Sequence, residues 1–247
     1  DNNCFFILAI NIVCIKFIYK VIFCFKVIMH SSVQNLIQIE KEIKLNLSNL
    51  NVNNLPKIIA VSKTFKMDKI LPLIEYGHIN FGENKVQEAI DKWSYVRENN
   101  SNIKLHMIGK LQTNKVKQAV KLFDYIHSVD SQKLAKKLAN EQQKINKKIK
   151  IFIQINIGNE DQKSGIDKIE LGSLIQYCKL INLDVIGLMC IPPNNVDTSS
   201  YYSEMYLLNK NFNLSELSMG MSSDYLKASE NLATYLRIGS SIFGNRS

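Results

Sequence analysis

Proline and glycine are scarce in this chain, four and ten among 247 residues, and nowhere do they gather with serine into a linker. One domain from about Ser31 to Ser247 is therefore expected, and the absence of an internal repeat argues against a solenoid or propeller. Cysteine is equally sparse. Cys4, Cys14, Cys24, Cys178 and Cys190 form no CxxC pair and have no histidine at metal-ligand spacing, so neither a disulfide framework nor a zinc site is signalled, and a reducing, cytoplasmic home is favoured. No GxGxxG follows any predicted strand, so the usual dinucleotide fingerprint is missing. The net charge of +9 is not gathered into a stripe with interleaved aromatics: runs such as "KKLANEQQKINKKIK" spread lysine over helix faces. A solvated basic surface is expected, not a nucleic-acid site.

The first thirty residues stand apart. "CFFILAINIVCIKFIYKVIFCF" is almost wholly apolar, long enough for the roughly 20 residues of a membrane span, but Lys16 and Lys20 interrupt it. It has neither the basic start and small-residue cleavage site of a signal peptide nor the arginine of a transit peptide. The chain begins at Asp1, and Met29 opens an ordinary sequence, so residues 1–28 are expected to be an upstream extension outside the working protein, with organellar targeting the alternative.

From Ser31 onward, short β-rich runs alternate with stretches of helical period, the pattern of a parallel α/β fold. A helix is predicted over 33–50, with Leu36, Ile39 and Ile43 at three- and four-residue spacing. Strands follow at 58–63, 79–82, 104–109, 125–129, 150–156, 184–190, 215–219 and 235–238. Helices fill the gaps at 67–76, 84–97, 113–122, 131–145, 167–181, 200–211 and 224–233, of which 200–211 is the least well marked. Eight strands with seven intervening helices and one leading helix predict a closed (β/α)8 barrel, the leading helix covering the gap beside the last strand.

Active sites of this fold lie at the C-terminal ends of the strands, and several of those ends are polar here: Lys63 and Thr64 after strand 1, "GEN" (82–84) after strand 2, "GKLQTNK" (109–115) after strand 3. Late in the chain, "SMGMSSD" (218–224) and "IGSSIFG" (238–244) combine small residues, hydroxyls and helix starts. Such loops are ordinarily plain turns, yet the ends of strands 7 and 8 are the standard phosphate position of a barrel. In "IIAVSKTF" (58–65) an apolar strand runs into Lys63, either a lysine reaching solvent or an amine held at a pocket. A strand-1 lysine beside a strand-7/8 phosphate cup suggests an aldehyde-bearing phosphate ester, and pyridoxal 5′-phosphate fits, its aldehyde condensing with Lys63 as a Schiff base.

The chain resembles the pyridoxal phosphate homeostasis proteins, single-domain relatives of the alanine racemase barrel. The resemblance covers about 31–247 and rests on "AVSKT" (60–64), "FGENKVQE" (81–88), "LHMIGKLQTNK" (105–115), "IQINIGNEDQKSG" (153–165), "GLMCIPP" (187–193), "LSMGMSSD" (217–224) and "RIGSSIFGNR" (237–246), in that order. It implies that Lys63 bonds the cofactor aldehyde, that Asn84 lies near the pyridine ring, and that Ser218, Gly239 and Ser240 supply phosphate donors. It implies further that Arg237 faces the ring nitrogen, where a permanently cationic donor disfavours protonation and weakens the ring as an electron sink. His106 is a candidate pocket contact; His78 and His127 read as ordinary core histidines, and Ser164 and Gly165 as residues shaping the mouth. Lys110 stands where many relatives have proline or histidine, and Leu232 where a glycine is usual.

The function implied is a non-catalytic, monomeric carrier of pyridoxal phosphate that supplies enzymes needing it, with no nucleic-acid or membrane partner for the barrel. The rivals are an amino-acid racemase or decarboxylase and a Schiff-base aldolase. Racemases and decarboxylases of this kind bring a second acid/base residue from a β-domain after the barrel, and the chain stops three residues after Gly244.

Overall fold

In a computed structural model, residues 29–244 are described apart from 51, 53, 161 and 195. The apolar extension expected over 1–28, and the last residues of the final motif, lie outside the described residues.

Eight parallel strands close into a barrel in sequence order: β1 (Lys57–Val61), β2 (Asn80–Glu83), β3 (Lys104–Met107), β4 (Tyr125–Val129), β5 (Lys150–Ile155), β6 (Asp184–Cys190), β7 (Glu216–Ser218) and β8 (Tyr235–Ile238). Closure is made by β8 against β1, with Ile59 opposite Arg237 and Ala60 opposite Ile238. Continuous apolar runs such as Ile58–Val61 suit this position because a barrel strand is covered on both faces, by the interior and by the helical ring. The ring consists of α1 (Ser31–Asn49), α2 (Met67–Glu75), α3 (Val86–Asn99), α4 (Val116–Leu122), α5 (Gln132–Lys144), α6 (Leu171–Leu180), α7 (Ser199–Asn211), α8 (Tyr225–Glu230) and α9 (Ser240–Phe243). Among the described residues no helix is long and apolar enough to cross a membrane.

α1 buries Leu36, Ile39, Ile43 and Leu47, the residues of its three- and four-spaced stripe. It packs between α2 on one side and α8 and α9 on the other, which is the expected cover over the β8–β1 seam. Asn35 Nδ2 donates to the carbonyl of Ile242 at 3.0 Å and Asn46 Nδ2 to Glu230 Oε1 at 2.9 Å, tying the helix across the seam.

The predicted elements all occur, with informative differences at their ends. β1 stops at Val61, two residues short of Lys63, because Thr64 adopts φ +67° and turns the chain. α3 starts at Val86, leaving Asn84 in the loop, and α9 is the single turn that begins at the helix start read in "IGSSIFG". The weakly marked helix over 200–211 forms as α7 over Ser199–Asn211.

Leu232, the residue in place of a glycine, has φ +62° and is 38% exposed. A leucine in the left-handed region carries a cost of about 1–2 kcal/mol, which asparagine escapes in part by local hydrogen bonding. Leu232→Asn is expected to raise stability by about 0.5–1 kcal/mol. Urea denaturation showing a less stable variant would mean that the isobutyl group's contacts outweigh the backbone strain.

Candidate functional site

The C-terminal ends of the strands surround a cavity of about 550 Å³, within the ordinary range for small-molecule sites. Lys63 and Phe65 enter it from the β1 loop, Asn84 from the β2 loop, Ile191 from beyond β6, Ser222 and Ser223 from the β7 loop, and Arg237, Gly239 and Ser240 from β8 and α9. Of the residues singled out from the sequence, Lys63, Asn84, Arg237, Gly239 and Ser240 are thus brought to one volume.

The β1 loop is clamped on both sides of Lys63. Ser62 Oγ donates to Glu83 Oε1 at 2.7 Å, Lys92 Nζ donates to the Ser62 carbonyl at 2.9 Å, and the Thr64 amide donates to Glu88 Oε1 at 2.6 Å. Lys92 also bridges Glu83 at 3.0 Å and Glu88 at 3.1 Å, while Trp93 Nε1 donates to Glu83 Oε1 at 2.9 Å. A β-branched residue at positive φ persists only where its surroundings over-determine it, and this cluster from β2 and α3 does so. The motif "FGENKVQE" therefore has a physical reading: Glu83 and Glu88 fix the turn that presents the lysine.

Asn84 is set by a close approach. A Cβ at Gly109 would lie 2.4 Å from the Asn84 carbonyl oxygen and 2.8 Å from its Cα, so only glycine lets the β2 and β3 loops meet this tightly. At the other side of the cavity, the amides of Gly239 and Ser241 both point at Ser222 Oγ, at 3.3 and 3.2 Å. Converging amides and a hydroxyl at a helix start form an anion-binding arrangement.

Arg237 is 4% exposed, and its guanidinium donates through NH1 to Ser218 Oγ at 2.7 Å and through NH2 to the Cys190 carbonyl at 2.8 Å. It forms no ion pair with a carboxylate among the described residues. Burial works against its charge, offset by nearby Cys190, Tyr202 and Asp224. Asp224 is otherwise engaged, accepting from Tyr202 Oη at 2.6 Å and from the Met221 amide at 2.7 Å. A buried cation held only by neutral acceptors at a cavity wall is suited to an electron-rich partner in that cavity.

Two of the expected contacts lie elsewhere. Ser218 is fully buried beneath the cavity, its hydroxyl between Arg237 and His127 Nδ1, 2.8 Å away; the serines of that motif lining the cavity are Ser222 and Ser223, four and five residues on. The reason is that β7 is only three residues long and ends at Ser218, so the loop, not the strand, reaches the mouth. His106 is likewise inside the barrel, stacked on Tyr125 at 4.2 Å between ring centroids and bonded to His127, and it does not line the cavity. Burial, then neighbouring cationic groups, hold both histidines well below the usual imidazole range. Besides Ser222, the sequence reading missed Phe65, stacked on Phe243 with centroids 4.8 Å apart, and His127 as a member of the Arg237 network. Alternation of inward and outward residues along β4 was the available signal for His127.

The model of the alanine racemase N-terminal domain family matches residues 40–247. The chain is 38% identical over 202 residues to the pyridoxal phosphate homeostasis protein of Vibrio cholerae, covering 77% of this chain and 85% of that one. It is 37% identical to the protein of the same name from Haemophilus influenzae, covering 86% and 94%. Among solved structures it resembles PipY of Synechococcus elongatus with PLP bound, at TM-score 0.72 and 33% identity, over 82% of this chain and all of that one.

Proposed function

The chain belongs to the alanine racemase N-terminal domain family, among its pyridoxal phosphate homeostasis proteins, and from that premise we propose that it holds pyridoxal 5′-phosphate in the cavity described above and serves the homeostasis of that cofactor. The observation that carries the reading is the convergence on one cavity of a lysine, a buried arginine with no carboxylate bonded to it among the described residues, and an amide-and-hydroxyl cup. When bound, pyridoxal phosphate supplies an electrophilic aldehyde. Lys63 Nζ would be the amine that holds that aldehyde covalently. Ser222, which the amides of Gly239 and Ser241 orient, would hold the phosphate together with Ser240, Asn84 would lie beside the ring, and Arg237 would face the ring nitrogen. Because a guanidinium stays cationic, it disfavours a proton on that nitrogen, and the site suits holding the cofactor without catalytic turnover.

The working unit in this reading is the barrel over 31–247, monomeric, acting in the reducing cytoplasm and passing its cofactor to enzymes that need it. Buried free thiols at Cys178 and Cys190, the latter pushed up to about 12 by burial, agree with such a compartment. A chain started at Met29 is expected to fold and bind as the full chain does, and failure to fold would show that residues 1–28 belong to the unit. The reading as a whole is tested by titrating the protein with pyridoxal phosphate and following visible absorbance: a saturable band at one cofactor per chain is expected, and its decay on adding an apoenzyme reports transfer. No band at any concentration would end the proposal.

Replacing Ser222 and Ser240 together by alanine is expected to weaken retention while the fold persists, each lost charge-assisted hydrogen bond being worth about 1.5–3 kcal/mol. Equilibrium dialysis giving an unchanged affinity would move the phosphate elsewhere.

A further inference from the structure

Five side chains form an unbroken hydrogen-bonded line through the barrel interior. Arg237 NH1 meets Ser218 Oγ at 2.7 Å, Ser218 Oγ meets His127 Nδ1 at 2.8 Å, His127 Nε2 meets His106 Nδ1 at 3.0 Å, and His106 Nε2 meets Asn80 Oδ1 at 3.2 Å. Ser218, His106 and His127 are sealed from solvent, the two imidazoles stacked on Tyr125 and on Phe152. The line starts under the cavity and ends at the start of β2, beside a separate cavity at the opposite end of the barrel.

Its direction follows from its first member. A guanidinium is a donor only, so Ser218 Oγ accepts from Arg237. The serine's own hydrogen, buried and with no further partner among the described residues, goes to His127 Nδ1. His127 then carries its proton on Nε2 and donates to His106 Nδ1, so His106 also carries its proton on Nε2 and donates to the amide oxygen of Asn80. Every donor finds an acceptor only if both histidines are neutral and share that tautomer. A proton added to either ring would set two N–H groups against each other at one link or turn the serine hydrogen against the guanidinium. Lone pairs at each link face Arg237, and hydrogen bonds in such a series polarise one another in the same sense.

We infer that Ser218, His127, His106 and Asn80 form a neutral counter-dipole for Arg237, holding a buried guanidinium in place and cationic with no carboxylate bonded to it among the described residues, Asp224 acting only from a distance, so that its charge bears on the acceptor in the cavity. An acidic partner bonded directly to Arg237 would cancel much of that potential; a line of oriented neutral groups stabilises the cation and leaves it. The identity of the acceptor as the ring nitrogen of pyridoxal phosphate rests on the function proposed above. The four residues are positioning residues, acting through Arg237. Other titratable groups facing the line are Tyr125, Tyr235, Lys57 and His78 around the histidines, and Cys190, Tyr202 and Asp224 around the arginine.

Nitrogen-15 NMR of the full chain without cofactor tests the line directly. Both His106 and His127 are expected to show a protonated Nε2 and an unprotonated Nδ1, unchanged between about pH 5.5 and 8, around the ordinary imidazole midpoint. An Nδ1–H on either ring, or a titration near that midpoint, would overturn the inference whether or not the protein binds pyridoxal phosphate. Ser218→Ala separates positioning from general structure: about tenfold weaker binding of pyridoxal phosphate is expected with unchanged affinity for inorganic phosphate, and Ser218→Thr, which keeps the hydroxyl, should restore it. Equal losses for both ligands, or no loss, would refute the role given to Ser218. Should Ser218→Ala fail to fold, the tautomers of the wild-type chain decide.

Discussion

Lys63→Ala is expected to abolish the borohydride-reducible adduct with pyridoxal phosphate entirely, while the cofactor still binds reversibly. The covalent bond needs the ammonium group's conjugate amine, and alanine has none; the cup around Ser222 and the Arg237 donor remain. The unloaded variant should stay folded with little loss of stability, because Ser62, Thr64, Glu83, Glu88 and Lys92 clamp this loop on both sides of position 63. Mass spectrometry of peptides from reduced wild-type protein should find the pyridoxyl group on Lys63. Recovery of that group on Lys110 or Lys115 would sink the assignment. A separate exposure concerns turnover: racemisation or decarboxylation of an amino acid by the wild-type chain at about 1 per second, an ordinary enzyme rate, would sink the carrier reading and leave the binding site standing.

The second large effect is acid lability that sets in early. His106 and His127 are held neutral in the fold by burial, whereas in the unfolded chain each titrates near 6.5. Below that value the unfolded state binds two protons that the folded state refuses, so stability rises with pH through this window and falls as pH drops below about 6.5. Each group contributes about 1.4 kcal/mol per pH unit, so the pair removes roughly 3 kcal/mol per unit, a large share of an ordinary domain's stability. His78, pulled down to about 4 by burial, adds to the same slope. Carboxylates held low by lysine, such as Asp197 hydrogen-bonded to Lys227 and brought to about 2, join only at lower pH. Urea midpoints at pH 7.5, 6 and 5 measure the slope directly. A midpoint flat across that range would show that these rings already carry protons in the folded protein.

Much of the site was legible in the sequence for reasons of local chemistry. Lys63 stands at the mouth of an apolar strand, where a lysine is costly without a task, and the glycine- and serine-rich ends of strands 7 and 8 can be recognised by composition. Ser222 was harder to single out from Ser218 because both lie in one motif four residues apart. Which of them reaches the cavity depends on where β7 ends, and strand ends are decided by pairing with neighbours, not by local pattern. His106 illustrates the converse error: its place near the end of a strand suggested the mouth, but inward-facing barrel positions also fill the closed interior.

The order of elements, the closed parallel barrel, the leading helix and the cluster of chemistry at one end were all determined by the sequence itself, since hydrophobic period and turn-forming residues act over short spans of chain. Tertiary structure alone decided how groups distant along the chain meet. The clamp of Ser62 and Thr64 by Glu83, Glu88 and Lys92, the approach of Gly109 to Asn84, and the line from Arg237 to Asn80 join residues up to 91 positions apart at a single link. Such bonds arise because barrel closure brings β8 against β1 and inward-facing side chains of different strands toward a common axis, where a buried donor must find an acceptor whatever its distance in sequence.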